Sequence, residues 1–128
     1  MDRPLARFAE PCYALFRIVV GLLLLQHGAQ KLFGVLGGDK APMGGQMWIG
    51  GLIEFVCGIA VMVGFKVGWT ALLASGTMAV AYFQFHQPKG TLPIQNGGEL
   101  AAVYAFCFLL IAAKGAGIWS VSGRRSPS

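Results

Sequence analysis

Four long apolar stretches run through the chain, each separated from the next by glycine, proline or charge. They cover about 12–33, 48–64, 67–86 and 98–114. Each is close to the roughly 20 residues a helix needs to cross about 30 Å of hydrocarbon. The segments GVLGGDKAPMGGQ and QPKGTLPIQNG between them have no apolar period and read as loops. Phe65-Lys66 makes a much shorter connection. After the fourth stretch come GAGIWSVSG and a polar end, expected to be disordered over about 120–128. Core helices of a soluble protein would need a polar stripe, and 55–65 and 100–113 have none wide enough. The pattern predicts an all-α polytopic membrane protein: one four-transmembrane-helix bundle forming a single domain over 1–128.

Composition supports that reading. The chain is 55% hydrophobic and 12% charged, where a soluble domain carries about a quarter charged residues. The net charge of +5 is not gathered on a face with interleaved aromatics, so no nucleic-acid partner is expected. The basic residues sit at segment ends instead. Arg3, Arg7, Lys66, Lys114, Arg124 and Arg125 would share one side, with Lys31, Lys40 and Lys89 on the other. The positive-inside bias then puts both termini in the cytoplasm, across a bacterial inner membrane. Arg3 and Arg7 before the run Ile18 to Leu25 resemble the start of a signal peptide. No small-x-small cleavage site follows, so the segment reads as an uncleaved first span. Cys12, Cys57 and Cys107 each stand alone in apolar surroundings. They indicate packing residues, not a disulfide framework or a zinc site.

An ionisable side chain inside a span costs about 2.5–3.5 kcal/mol at mid-helix and needs a partner. With the N-terminus inside, His27 and Lys31 close the first helix and Glu54 lies about two turns into the second. Gln84 and His86 close the third, and Glu99 opens the fourth. All of these reach the outer half of the membrane. Only Arg17 lies toward the inner end, a structural charge that can snorkel to the interface. Gly50, Glu54 and Gly58 recur every four residues, setting Glu54 on a glycine stripe that faces another helix. Ala71, Ser75, Ala79, Tyr82 and His86 make a similar stripe. A weak internal echo points the same way: Gln26-His27 and Gln84-Phe85-His86 each precede a glycine pair and a glutamate.

The expectation is a single polar chamber under the outer surface, with Glu54 and His27 as its reactive core. Gln26, Gln30, Lys31, Tyr82, Gln84, His86 and Glu99 would bind the ligand, with Lys31 as charge partner of Glu54. Several chemistries fit. Di-iron carboxylate bundles need Glu-x-x-His, which is absent; a mononuclear site from His27, Glu54, His86 and Glu99 stays open, though no metal is assigned. A quinone would use histidine as donor and a carboxylate as proton relay, walled by Trp48, Tyr82, Phe83 and Phe85. In a proton-coupled conduit for a small solute, Glu54 would protonate and deprotonate as access alternates. A non-catalytic anchor would use all of them as interhelical contacts worth about 0.6 kcal/mol each. No intrinsic flavin, haem or iron–sulfur motif occurs, so a redox role needs a partner subunit. Glycine-lined faces also suit pairing with a second copy.

Motifs spread along the chain carry a resemblance. They are Arg17 to Gly21 (RIVVG), His27-Gly-Ala-Gln-Lys31 with Leu32-Phe33-Gly34, and Gly51-Leu-Ile-Glu54 followed by Gly58. The series continues with Ala79 to His86, Gly98-Glu99 and Lys114-Gly115-Ala116-Gly117. In this order the sequence resembles the DoxX family of small bacterial membrane proteins. The resemblance implies a four-helix inner-membrane protein. The family's relatives include a subunit of a thiosulfate:quinone oxidoreductase, and others are linked to oxidative-stress and thiol-redox assemblies. The family's recurrent polar positions match Arg17, His27, Lys31, Glu54, His86 and Glu99. Two departures stand out: Val121 replaces an aspartate that many relatives have after the serine, and paired cysteines are absent.

Overall fold

The computed structural model describes residues 2–122. Among them every regular element is helical. A 3-10 turn at Ala6–Phe8 leads into α1 (Ala9–Phe33), and a glycine-rich loop leads to α2 (Gln46–Val63). Then come α3 (Val67–Ala81), a short α4 (Pro93–Asn96) and α5 (Glu99–Lys114). The helix of α3 does not stop at Ala81. It widens into a π-turn over Tyr82–His86 and tightens into a 3-10 turn over Gln87–Lys89. The expected third span is therefore helical but irregular in its last turns. Helix α4 falls inside the expected second loop.

By length and composition, two helices are long and apolar enough to cross a membrane: residues 6–33, which include α1, and α2. Their outward faces stay apolar. Leu15, Val19, Leu22, Leu23, Leu52 and Val56 are exposed, as are Leu72, Leu73, Phe106 and Leu110 on α3 and α5. A protein folded in water would cover apolar surface on that scale, and for α1 and α2, the two helices long enough to cross a bilayer, lipid is the fitting solvent.

The helices pack as two antiparallel pairs, α1 with α2 and α3 with α5, joined mainly through α2 and α3. Glycine decides the first pairing. A Cβ on Gly28 would lie 2.4 Å from the backbone nitrogen of Phe55, and one on Gly21 would lie 2.7 Å from that of Met62. Gly58 meets the backbone of Leu25 in the same way. These approaches put two helix backbones in direct contact, which only residues without side chains allow. The glycines in contact are Gly51 and Gly58 on α2, seven apart. Gly50, expected on this stripe, instead faces open space. A repeat of four drifts around a 3.6-residue helix, while a repeat of seven stays nearly in line. In the second pair, Ser75 Oγ donates to the Ala105 carbonyl at 2.7 Å. Tyr104, Phe108 and Ile111 fill the centre with Leu24, Val61, Ala71 and Met78.

Arg17 does not snorkel. It is fully buried, and its guanidinium donates to carbonyls at the end of α2 and in the segment after α5. Nε reaches Val61 O at 3.0 Å, and Nη2 reaches Met62 O at 3.4 Å and Trp119 O at 2.7 Å. Nη1 donates to Ala116 O, and to Ile118 O at 3.0 Å. A helix C-terminus is a cluster of unpaired carbonyls with partial negative charge, so these acceptors replace water for a buried cation. Tyr13 Oη adds a bond to Gly115 O at 2.7 Å. The backbone N–H groups of Val121 and Ser122 bond to Val63 O and Gly64 O at 3.0 and 3.2 Å. Val121 and Ser122, within the tail expected to be disordered, are thus bonded to the end of α2, and 123–128 lie outside the described residues.

Candidate functional site

The end of the molecule where α1 finishes and α2 begins gathers its polar groups. Lys31 is in the last turn of α1, with its stem across Gly51, where a Cβ would meet Lys31 Cβ at 2.6 Å. That missing side chain lets the ammonium cross to α2. Nζ donates to both carboxylate oxygens of Glu54, each at 2.9 Å. Glu54 is only 3% exposed. A carboxylate buried that deeply is tolerable because it is fully paired, and a bidentate contact with an ammonium is among the stronger forms of pairing.

The pair forms one wall of a groove of about 790 Å³ between α2 and α3. The α2 side is Gln46, Met47, Ile49, Gly50, Ile53 and Glu54; the α3 side runs from Trp69 through Leu72, Leu73, Gly76, Thr77 and Val80 to Gln84 and Phe85. Two glycines keep it open. A Cβ on Gly50 or Gly76 would meet nothing within 4 Å. At its mouth the side-chain amides of Gln46 and Gln84 bond reciprocally, at 2.5 and 3.2 Å. The π-turn over Tyr82–His86 sets the direction of Gln84, and such widened turns recur at functional positions. Toward Trp69 the polar character ends. Thr77 Oγ is occupied by the Leu73 carbonyl at 2.8 Å, and its neighbours are aliphatic.

A second polar cluster lies beside the first and is separate from it. Asn96, 4% exposed, donates through Nδ2 to Tyr82 Oη and Gly90 O, both at 3.1 Å. Its Oδ1 accepts from Gly98 N–H at 2.8 Å. The His86 ring donates from Nδ1 to the Asn96 carbonyl at 3.3 Å, which requires the proton on that nitrogen. Gly98 allows this, since a Cβ there would strike Tyr82 and His86 at 2.8 Å. The cluster ties the loop after α3 to the start of α5.

The sequence-predicted residues therefore do not share one chamber. Lys31, Glu54 and Gln84 line the groove. Tyr82 and His86 serve the Asn96 cluster. His27 is half-buried against Tyr104, ring edge to face at 5.9 Å, and among the described residues no hydrogen bond joins it to Glu54. Gln30 Nε2 donates to Leu36 O at 2.9 Å and shapes the loop after α1. Gln26 and Glu99 are exposed. Of the proposed aromatic walls only Phe85 lines the groove. Among the described residues no three His, Cys, Asp or Glu side chains come together as a metal site, so the mononuclear site left open for His27, Glu54, His86 and Glu99 is not assembled there.

Sequence reading missed Gln46, Asn96 and Trp69. A signal for Gln46 existed. In an antiparallel hairpin with a tight turn, residues equidistant from the turn face each other. Gln46 and Gln84 lie equally far from Phe65 (65 − 46 = 19 and 84 − 65 = 19). Asn96 acts largely on backbone groups, which residue types do not announce.

Apolar helices with lipid-facing surfaces and a buried ion pair define a helical membrane protein. Comparison with known proteins agrees. The DoxX family model matches residues 13–87. An uncharacterised protein of Haemophilus influenzae is 36% identical over 118 residues, covering 87% of this chain and 88% of that protein. No solved structure matches. The chain belongs to the DoxX family.

Proposed function

We propose that the protein is a multi-pass inner-membrane subunit whose α2–α3 groove binds a quinone or a small redox-active solute. In this reading α1, α2, α3 with its π-turn, and α5 are four spans of one domain. Both termini are cytoplasmic, and the groove mouth lies in the outer half of the bilayer. One observation carries the reading: a fully paired, buried carboxylate stands on the wall of an open apolar groove with unused donors beside it. Lys31 has three N–H groups and spends two on Glu54. The third can meet a ligand carbonyl. Gln46 and Gln84 each keep one amide N–H beyond their mutual bonds. A quinone needs such neutral donors at its head, and in this reading Glu54 exchanges the accompanying proton. The relatives named by the resemblance, linked to quinone and thiol redox systems, favour this class. The electrons would come from a partner subunit, because the chain has no flavin, haem or iron–sulfur motif.

Titrating the purified protein with quinone tests the proposal. Wild type should bind saturably, and Glu54→Gln should weaken binding about tenfold, a loss near 1.4 kcal/mol. Absence of binding with solute-dependent proton flux in liposomes would replace the reading with a transporter. Absence of both would leave an assembly subunit.

A further inference from the structure

The groove is polar at one end only, and that asymmetry describes its ligand beyond the headgroup. Resting on the quinone reading above, we infer that the site takes a long-tailed, electrically neutral amphiphile. Its head sits at Lys31, Gln46 and Gln84, and its tail lies along α3 as far as Trp69. Three observations bear on this.

First is length. From Gln84 to Trp69 the groove follows about fifteen residues of helix, roughly 20 Å at 1.5 Å per residue. A bare aromatic head would leave most of that length empty or filled by loose lipid. Second is chemistry. Below these polar groups the wall includes Leu72, Leu73 and Val80, with Gly76 as its floor. The one hydroxyl there, Thr77, is already bonded to its own helix. Between the polar mouth and Trp69 no side-chain donor is left free to hold a polar substituent, whereas a hydrocarbon chain asks for none. Gly76 removes the side chain that would block the path, and nothing else has moved into the space. Trp69, 78% exposed, lines the far end.

Third is charge. Lys31 and Glu54 cancel each other across 2.9 Å, and the other polar groups at the mouth are neutral amides. An anionic phospholipid head would need an uncompensated cation, and a cationic head an uncompensated acid. A head bearing carbonyls or hydroxyls matches the donors without disturbing the pair.

The experiment compares two naphthoquinones with the same kind of head, menadione without a tail and menaquinone with its full isoprenoid tail. Both are titrated against wild type and Gly76→Leu in detergent. Wild type should prefer menaquinone by about tenfold or more, allowing for equal partitioning of both into micelles. In Gly76→Leu that preference should fall to near parity, because the new side chain occupies the tail path. Gly76→Ala, smaller by three carbons, should give an intermediate preference and shows that the effect follows volume. Equal affinity of wild type for the two ligands would overturn the tail assignment and leave the headgroup site standing. The same holds for an undiminished preference in Gly76→Leu. Failure of both ligands to bind would overturn the quinone reading itself. Displacement of menaquinone by an anionic phospholipid at similar concentration would overturn the neutral-head assignment.

Discussion

Glycine is used in opposite ways on the two sides of α2. Toward α1, Gly51 and Gly58 meet Gly21, Gly28 and the Lys31 stem so closely that an added Cβ would fall 2.4–2.7 Å from its nearest neighbour. Toward α3, Gly50 and its counterpart Gly76 also lack side chains, yet nothing fills the space. The first arrangement exchanges side-chain volume for backbone contact, the means by which helices associate where lipid offers no hydrophobic drive. The second keeps the volume empty. A glycine on a membrane helix is therefore ambiguous by itself; the residue opposite decides whether it makes a seam or a cavity.

The contrast breaks most visibly at the seam. Gly28→Leu should force α1 and α2 apart and cost about 3 kcal/mol or more, since overpacking has no room to relax between two backbones. Thermal unfolding in detergent would register it as loss of the folded monomer. An unchanged midpoint would mean that the seam is not tight. Next in size is Arg17→Met, which leaves the carbonyls at the end of α2 and after α5 without their donor. A loss of about 2 kcal/mol is expected, together with faster proteolysis beyond Lys114. Cleavage at the wild-type rate would show that Arg17 does not hold that segment.

Glu54→Gln sharpens the comparison from the groove side. It strands Lys31 beside apolar walls, and because Lys31 is about a quarter exposed the cost should be modest, about 1–2 kcal/mol. The double variant Lys31→Met with Glu54→Leu should recover that stability without recovering quinone binding. Recovery of both would assign the pair a purely structural role. Smallest of all, Gly76→Leu should change stability by no more than about 0.5 kcal/mol, within the usual range for surface substitutions. A loss comparable to that of Gly28→Leu would mean that the groove closes in the folded protein.

Much of this architecture was legible in the residues. The apolar runs located the long helices, because length and hydropathy are properties of single segments. Pairing of Lys31 with Glu54 followed from charge and from depth along two adjacent helices. What failed depended on the facing element. The four-residue stripe of Gly50, Glu54 and Gly58 selected the wrong glycine, since rotation about α2 is fixed by Gly21 and Gly28 across from it. Arg17 looked like an interface residue because its acceptors are backbone carbonyls, invisible in a list of side chains. His27 was grouped with Glu54 by depth, yet its ring lies against Tyr104. Depth along a helix is readable from sequence; azimuth is set by packing.

Photoaffinity labelling with an azido-quinone, mapped by mass spectrometry in native-like lipid, addresses the groove itself. The label should concentrate on peptides containing Met47 to Glu54 and Gly76 to Phe85, and excess menaquinone should suppress it. Labelling spread evenly over all lipid-facing segments, or concentrated on the outward face of α5 around Phe106, would contradict a ligand held between α2 and α3.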